Sequence, residues 1–184
     1  FGADLTKARD NSETPELPPQ DYRTIIEPSF EQCTEYLFRA MRDAKWLSFD
    51  IETQGKHVVD CIGFATSLEE SICIPLYITG YQQLMRYWKN EAQFCTILSL
   101  IQQLLESDVP KIAQNGQFDR AFLARNYKIE ARNIIHDTLV AGHDLYCELP
   151  KDLGTLISLY TNLPYHKYMI HSGSHRDRWT YNAL

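Results

Sequence analysis

The spacing of apolar residues changes character partway along this chain, and that change limits the fold more than any single motif. Trp46-Leu47-Ser48-Phe49-Asp50-Ile51, Asp60 to Ala65 and Ser71 to Leu76 are β-rich runs, the last two separated only by a polar stretch containing Ser67-Leu68-Glu69-Glu70. Short connections between them predict an antiparallel meander. From Asn90 onward Phe94, Ile97, Leu98, Ile101, Leu104 and Leu105 fall at i, i+3, i+4, i+7, i+10 and i+11, one face of a long helix ended by Pro110. A chain that uses both periods must pack helices on a sheet.

The remaining segments extend this pattern. Tyr22-Arg23-Thr24-Ile25-Ile26 predicts a short strand, and Ser29-Phe30-Glu31-Gln32 has the form of a capping box. A helix should follow with Phe30, Cys33, Leu37, Ala40 and Met41 inward. Lys111-Ile112-Ala113 predicts a strand that enters an Asn115-Gly116 turn and then a helix from about Phe118 to Asn126. Asn133 to His136 predicts one more strand before another helix, and Asp152 is a favourable N-cap for a helix burying Leu153, Leu156, Ile157 and Tyr160. The order β-α-β-β-β-α-β-α-β-α-α describes an α/β domain with a mixed sheet flanked by helices and no internal repeat. Residues 1–21 are polar and include Thr14-Pro15-Glu16-Leu17-Pro18-Pro19, which reads as a linker or tail, so the folded domain is expected over 22–184.

Composition excludes several classes of protein. At 184 residues, 44% hydrophobic and 23% charged, the chain can bury a core without staples. Its five cysteines are widely spaced with no CxxC pair, so neither a disulfide framework nor a zinc site is expected, and a reducing, cytoplasmic setting fits. No stretch approaches the roughly 20 apolar residues of a membrane span, so no membrane partner is expected. The absence of an initiator Met makes the chain read as an excised fragment. There is no GxxxxGK[ST] phosphate loop, and no cysteine has a histidine at the spacing of a thiol nucleophile. A net charge of −6 argues against gripping nucleic acid by phosphate neutralisation alone. It suits an enzyme that meets phosphate through divalent cations held by clustered carboxylates.

The candidate carboxylates lie in two places. In Ser48-Phe49-Asp50-Ile51-Glu52-Thr53, residues two apart share a strand face, so Asp50 and Glu52 project together while Phe49 and Ile51 turn to the core. Acids at a strand end are often only solvated edge residues; two on one face otherwise call for a cation, and hard oxygen ligands favour Mg²⁺ or Mn²⁺. In Asn115-Gly116-Gln117-Phe118-Asp119, a turn feeds a helix whose first turn carries Asp119, a position that the helix dipole also favours for structural reasons.

Together these elements resemble the first two motifs of the DEDD 3′-to-5′ exonucleases, the D-x-E strand and the N-x-x-F-D helix start. The tyrosine-bearing branch has a third motif, Y-x-x-x-D. Trp179-Thr180-Tyr181-Asn182-Ala183-Leu184 supplies its Tyr181, with the acid expected one residue beyond the terminus. None of His166, His171 and His175 has an acid five positions later, as the histidine-bearing branch would require. Asp108-Val109-Pro110-Lys111-Ile112-Ala113-Gln114-Asn115, His136-Asp137-Thr138-Leu139 and Lys151-Asp152-Leu153-Gly154-Thr155-Leu156 look like the exonuclease domains of bacterial and phage polymerases of the DNA polymerase I type. The resemblance covers roughly Tyr22 to Leu184.

It implies a ribonuclease H-like mixed sheet and a proofreading domain that releases nucleoside monophosphates from the 3′ end of single-stranded DNA, joined to the polymerase domain of the same parent chain. Carried over by motif, two divalent cations, Mg²⁺ or Mn²⁺, are held by Asp50, Glu52 and Asp119, and Tyr181 orients the attacking water. Thr53 and Asn115 contact the terminal nucleotide, and Phe118 serves there or as a core anchor for the helix carrying Asp119. With its fourth carboxylate missing, the chain is expected to be impaired. Two alternatives stand beside this reading: a noncatalytic nucleic-acid-binding scaffold of the same fold, and an exoribonuclease of the ribonuclease D kind. Among weaker signals, His166 to Arg178 is a basic, aromatic-bearing stretch that could hold DNA or simply be a solvated loop. Asp137 reads as a helix cap, His143 as a surface or core residue, and Tyr77, Tyr81, Tyr87 and Trp88 as packing or as a mobile aromatic loop able to stack a base.

Overall fold

The computed structural model describes residues 22–79 and 84–161. Tyr22–Thr138 forms one compact unit, which holds both candidate motifs. It opens with strand β1 (Arg23–Ile26) and helix α1 (Phe30–Asp43). The expected capping box starts α1: Ser29 Oγ accepts from the Gln32 N–H at 3.2 Å, and Gln32 Oε1 accepts from the Ser29 N–H at 2.9 Å. Cys33, Tyr36, Leu37 and Ala40 form its buried stripe, with Phe30 and Met41 packed at the margin of the core.

Strands β2 (Leu47–Gln54), β3 (Val58–Ala65) and β4 (Glu70–Pro75) form the antiparallel meander. A small hairpin of β5 (Tyr77–Thr79) and β6 (Leu84–Arg86) follows, an element absent from the sequence reading. Tyr77 in β5, and Tyr87 and Trp88 just after β6, serve in packing. Trp88 is buried edge-on to Tyr87 and Phe30, and Tyr77 meets Phe94 at 5.7 Å. Tyr81 lies outside the described residues.

Helix α2 (Glu91–Glu106) is capped by Asn90 Oδ1, which accepts from the Gln93 N–H at 2.9 Å. It ends four residues before Pro110, because Ser107 adopts extended backbone and its hydroxyl donates to the Leu104 carbonyl at 2.7 Å. The side chain of Lys111 is fully buried and donates from Nζ to the Ser107 and Val109 carbonyls, both at 2.8 Å. These bonds satisfy carbonyls that follow the last turn of α2. Burial depresses this ammonium to a pKa of about 8.

Strand β7 (Lys111–Ala113), helix α3 (Gly116–Tyr127) and strand β8 (Ile134–Asp137) complete the unit. The sheet order is β1-β4-β3-β2-β7-β8, with β1 parallel to β4 and β7 parallel to both β2 and β8. The strand bearing the D-x-E motif therefore lies inside the sheet, antiparallel to one neighbour and parallel to the other. Phe49 and Ile51 pair with Phe64 and Ile62, and all four are buried. The opposite face of the same strands carries Asp50 and Glu52.

The second unit contributes helices α4 (Thr138–Leu145, whose first residue closes the larger unit) and α5 (Leu153–Tyr160) to the described residues. Asp152 caps α5 as expected, accepting from the Thr155 N–H at 3.3 Å. The expected inward face of α5 is not observed. Leu153 and Tyr160 are exposed, Leu156 and Ile157 are half-buried and Gly154 is the buried position, so the stripe that these four apolar residues form is not turned inward as a whole. Among the described residues no helix is long and apolar enough to cross a membrane, and none of the five cysteines forms a disulfide.

Candidate nuclease site

The site is built on β2 and on the start of α3. Along β2 the alternation of a half-buried strand places Asp50 exposed and Glu52 and Thr53 half-buried, while Leu47, Phe49 and Ile51 are buried. The pairing with β3 slips between Glu52 and Thr53: Glu52 faces Cys61, but Thr53 faces Val59. The extra residue, Asp60, bulges, and bulges re-aim the side chains next to them. Thr53 thus begins a new register directly after the motif.

The second half of the site depends on how α3 begins. Asn115 takes a left-handed conformation (φ 57°, ψ 38°), which asparagine tolerates better than most residues, and its side chain makes no capping bond. The cap comes from elsewhere in the chain. Asp137, at the end of β8, accepts from the Asn115 N–H at 3.0 Å and from the Gly116 N–H at 2.9 Å, one amide to each carboxylate oxygen. The helix-cap reading of Asp137 is correct, and the helix it caps is α3, which precedes it in sequence. Position 116 must be glycine: a Cβ there would lie 2.6 Å from the Cβ of Ala113.

At its far end α3 is tied to the β2–β3 connection. The Tyr127 hydroxyl accepts from the Val59 N–H at 2.9 Å. Asn126 takes a bond from His57 Nδ1 at 3.0 Å and donates to the Lys56 carbonyl at 3.4 Å. These contacts fix the helix over the strand that carries the acids. Nothing in the local sequence around Asn126 and Tyr127 announced this role.

Clamped in this way, α3 turns Gly116, Asp119 and Leu123 inward. Asp119 is only 3% exposed. Phe118, one residue earlier and so about 100° around the helix, is half exposed rather than a core anchor, with its ring 5.9 Å from that of Phe122. Burying the acid is what turns the phenylalanine outward.

Electrostatics link the two halves. Burial, then the negative charge of Asp50 and to a smaller extent that of Glu52, push the Asp119 carboxyl up to about 7, against hydrogen bonding from the backbone of Ile51 and of Asp119 itself. Asp50 is also raised: its side chain reaches solvent, but the protein around it dehydrates the carboxyl. Neither group has its charge offset by a cationic side chain among the described residues. The donors are hard oxygens held on rigid elements, and their mutual repulsion is the kind a divalent cation relieves, so their chemistry fits one. They are not gathered into a closed ligand set. Among the described residues no three His, Cys, Asp or Glu side chains cluster closely enough to enclose a metal.

Tyr181 and the basic stretch His166 to Arg178 lie outside the described residues. His143 is exposed, in line with the surface reading.

No curated protein sequence matches the chain significantly. Among solved structures it is similar to the catalytic core of RRP6 from Trypanosoma brucei, with a TM-score of 0.60 and 12% identity over 91% of this chain and 44% of that one. It is also similar to RNase D of Trypanosoma brucei in complex with RNA U12, with a TM-score of 0.59 and 13% identity over 85% and 53%. A third likeness is to Escherichia coli RNase D, described as an exoribonuclease involved in structured RNA processing, with a TM-score of 0.54 and 14% identity over 86% and 39%. The chain spans about half or less of each of these proteins, and at such identities the likeness is one of fold, the ribonuclease H-like exonuclease fold. A family model described as 3′-5′ exonuclease matches residues 25–182, and the chain belongs to that family.

Proposed function

We propose that this chain is the proofreading 3′-5′ exonuclease domain of a DNA polymerase of the DNA polymerase I type, acting on the 3′ end of single-stranded DNA. The observation that carries the reading is the electrostatic meeting of Asp119 on α3 with Asp50 and Glu52 on β2. In this assignment the three acids hold divalent cations, Mg²⁺ or Mn²⁺. Bound there, such ions supply the positive charge that activates water and stabilises a leaving 3′ oxygen.

The protein's own part is placement. Strand β2 presents Asp50 and Glu52 from a sheet interior, and the Asp137 cap and the Tyr127 and Asn126 ties set the angle of Asp119. Thr53, re-aimed by the bulge, and the uncommitted side chain of Asn115 contact the terminal nucleotide. Phe118, exposed beside the site, offers a ring for its base. Tyr181 orients the attacking water. The polymerase domain of a longer parent chain is the partner, and the setting is cytoplasmic. The stretches around Asp108, His136 and Lys151 support the polymerase assignment by their resemblance to such domains.

A second reading, an exoribonuclease of the ribonuclease D kind, is favoured by the fold likenesses to RNase D and RRP6. Matched 5′-labelled DNA and RNA oligomers incubated with the chain and Mg²⁺ or Mn²⁺ decide between them. A ladder that shortens from the 3′ end of DNA and collapses by at least about a hundredfold in Asp50→Ala and Asp119→Ala supports the proposal. Cleavage confined to RNA installs the second reading, and cleavage of neither substrate, by this chain and by a form extended past Leu184 to the expected fourth acid, rejects both.

A further inference from the structure

One glycine has no explanation in the fold. Gly63 sits in the interior of β3, paired with Asp50 on one side and Cys73 on the other. Strand interiors disfavour glycine, which loses the most entropy on folding and offers nothing to pack. The usual reasons for tolerating it are absent. Among the described residues Gly55, not Gly63, is the glycine with positive φ. A Cβ at position 63 would find one atom within 4 Å, the Asp50 carbonyl oxygen at 3.9 Å, which is ordinary contact. No neighbouring backbone needs the space.

The space has a definite location. Residues directly opposite on antiparallel strands share a face, with Cβ atoms roughly 4.5–5.5 Å apart. A side chain at 63 would therefore stand beside that of Asp50, on the face that also carries Glu52 and its partner Cys61. The neighbours Ile62 and Phe64 point the other way, into the core. Gly63 is half-buried, so the gap beside Asp50 reaches solvent.

We infer that Gly63 is a positioning residue of the nuclease site, its missing side chain keeping open the floor beside Asp50 where the reacting phosphodiester lies. The inference rests on the proposed exonuclease reading. It predicts opposite signs for stability and activity, which a structural glycine would not give. In metal-free buffer Gly63→Ala should melt at the wild-type temperature or up to about 4 °C above it, because alanine restricts the unfolded chain without meeting an obstacle. With Mn²⁺ the same variant should cleave single-stranded DNA about tenfold more slowly, and Gly63→Val about a hundredfold, mainly in kcat, since small displacements of a reacting group carry such factors.

Melting temperatures of both variants, steady-state cleavage, and calorimetric binding of a nucleoside monophosphate in the presence of Mn²⁺ form the test. A melting temperature of Gly63→Ala more than about 4 °C below wild type makes the glycine structural and overturns the inference. So do undiminished cleavage and undiminished nucleotide binding in both variants of an active chain. A wild-type chain that neither cleaves nor binds nucleotide fails differently: it removes the exonuclease reading, and this inference with it.

Discussion

Asp119 should make the metal-free protein less stable as pH rises through neutrality, which reverses the usual behaviour of a carboxylate. Its folded pKa is pushed up to about 7, against 3.8 when free of the fold. Between those values the folded chain keeps a proton that the unfolded chain has released, so stability declines with increasing pH and levels off above about 7. The separation of about three units, at about 1.4 kcal/mol each, sets a total near 4 kcal/mol. Asp50, also raised, acts in the same direction. Asp119→Asn removes the ionisation while leaving a carbonyl oxygen to accept from the backbone. In chelator-treated buffer the variant should gain on the wild type by about 3 kcal/mol between pH 5 and pH 8. That corresponds to a divergence in Tm of roughly 6–12 °C for a chain of this size. Urea or thermal unfolding at a series of pH values measures it directly. A gap that stays constant from pH 5 to pH 8, or that closes, refutes the picture of a buried acid facing Asp50 and Glu52.

Three further outcomes follow from the geometry. Removing the Asp137 carboxylate (Asp137→Ala) leaves two amides at the start of α3 without their acceptor; a loss of about 2 kcal/mol is expected in urea unfolding, and an unchanged midpoint counts against the cap. Tyr127→Phe deprives the Val59 N–H, at a fully buried residue, of its acceptor, so a destabilisation of about 1–3 kcal/mol should appear, against almost none for Tyr160→Phe at an exposed position. Mn²⁺ at a hundred times its dissociation constant should stabilise the wild type by about 2.7 kcal/mol and leave Asp50→Ala close to its metal-free value; equal shifts in both would place the ion elsewhere.

The sheet was legible because its strands announce themselves by two independent signs, β-rich composition and turn punctuation, and the meander needs only short connections. Asp50 and Glu52 were legible for the same reason, since period two fixes their common face. The hairpin β5–β6 escaped because its strands are three residues long, too short for a period to emerge. Of the two roles open to Phe118, the core anchor is the one that its exposure removes. Here the inward direction is taken by Asp119, a choice that local hydrophobicity opposes and tertiary clamps enforce. Those clamps, Asp137 on Asn115 and Gly116, Tyr127 on Val59, join residues far apart in the chain, and pattern along a single strand or helix carries no trace of them. The weak apolar stripe of α3 has the same origin: a helix that buries an acid and a glycine has fewer positions left for hydrophobic residues.

The placement of the acids on β2 and α3 has a consequence for how such a chain is made. Glu52 and Asp119 are separated in sequence by β3, β4, the small hairpin, α2 and β7, so no partial chain that stops short of α3 holds both halves of the site. During synthesis the proposed site can assemble only after the ribosome has released most of the sheet.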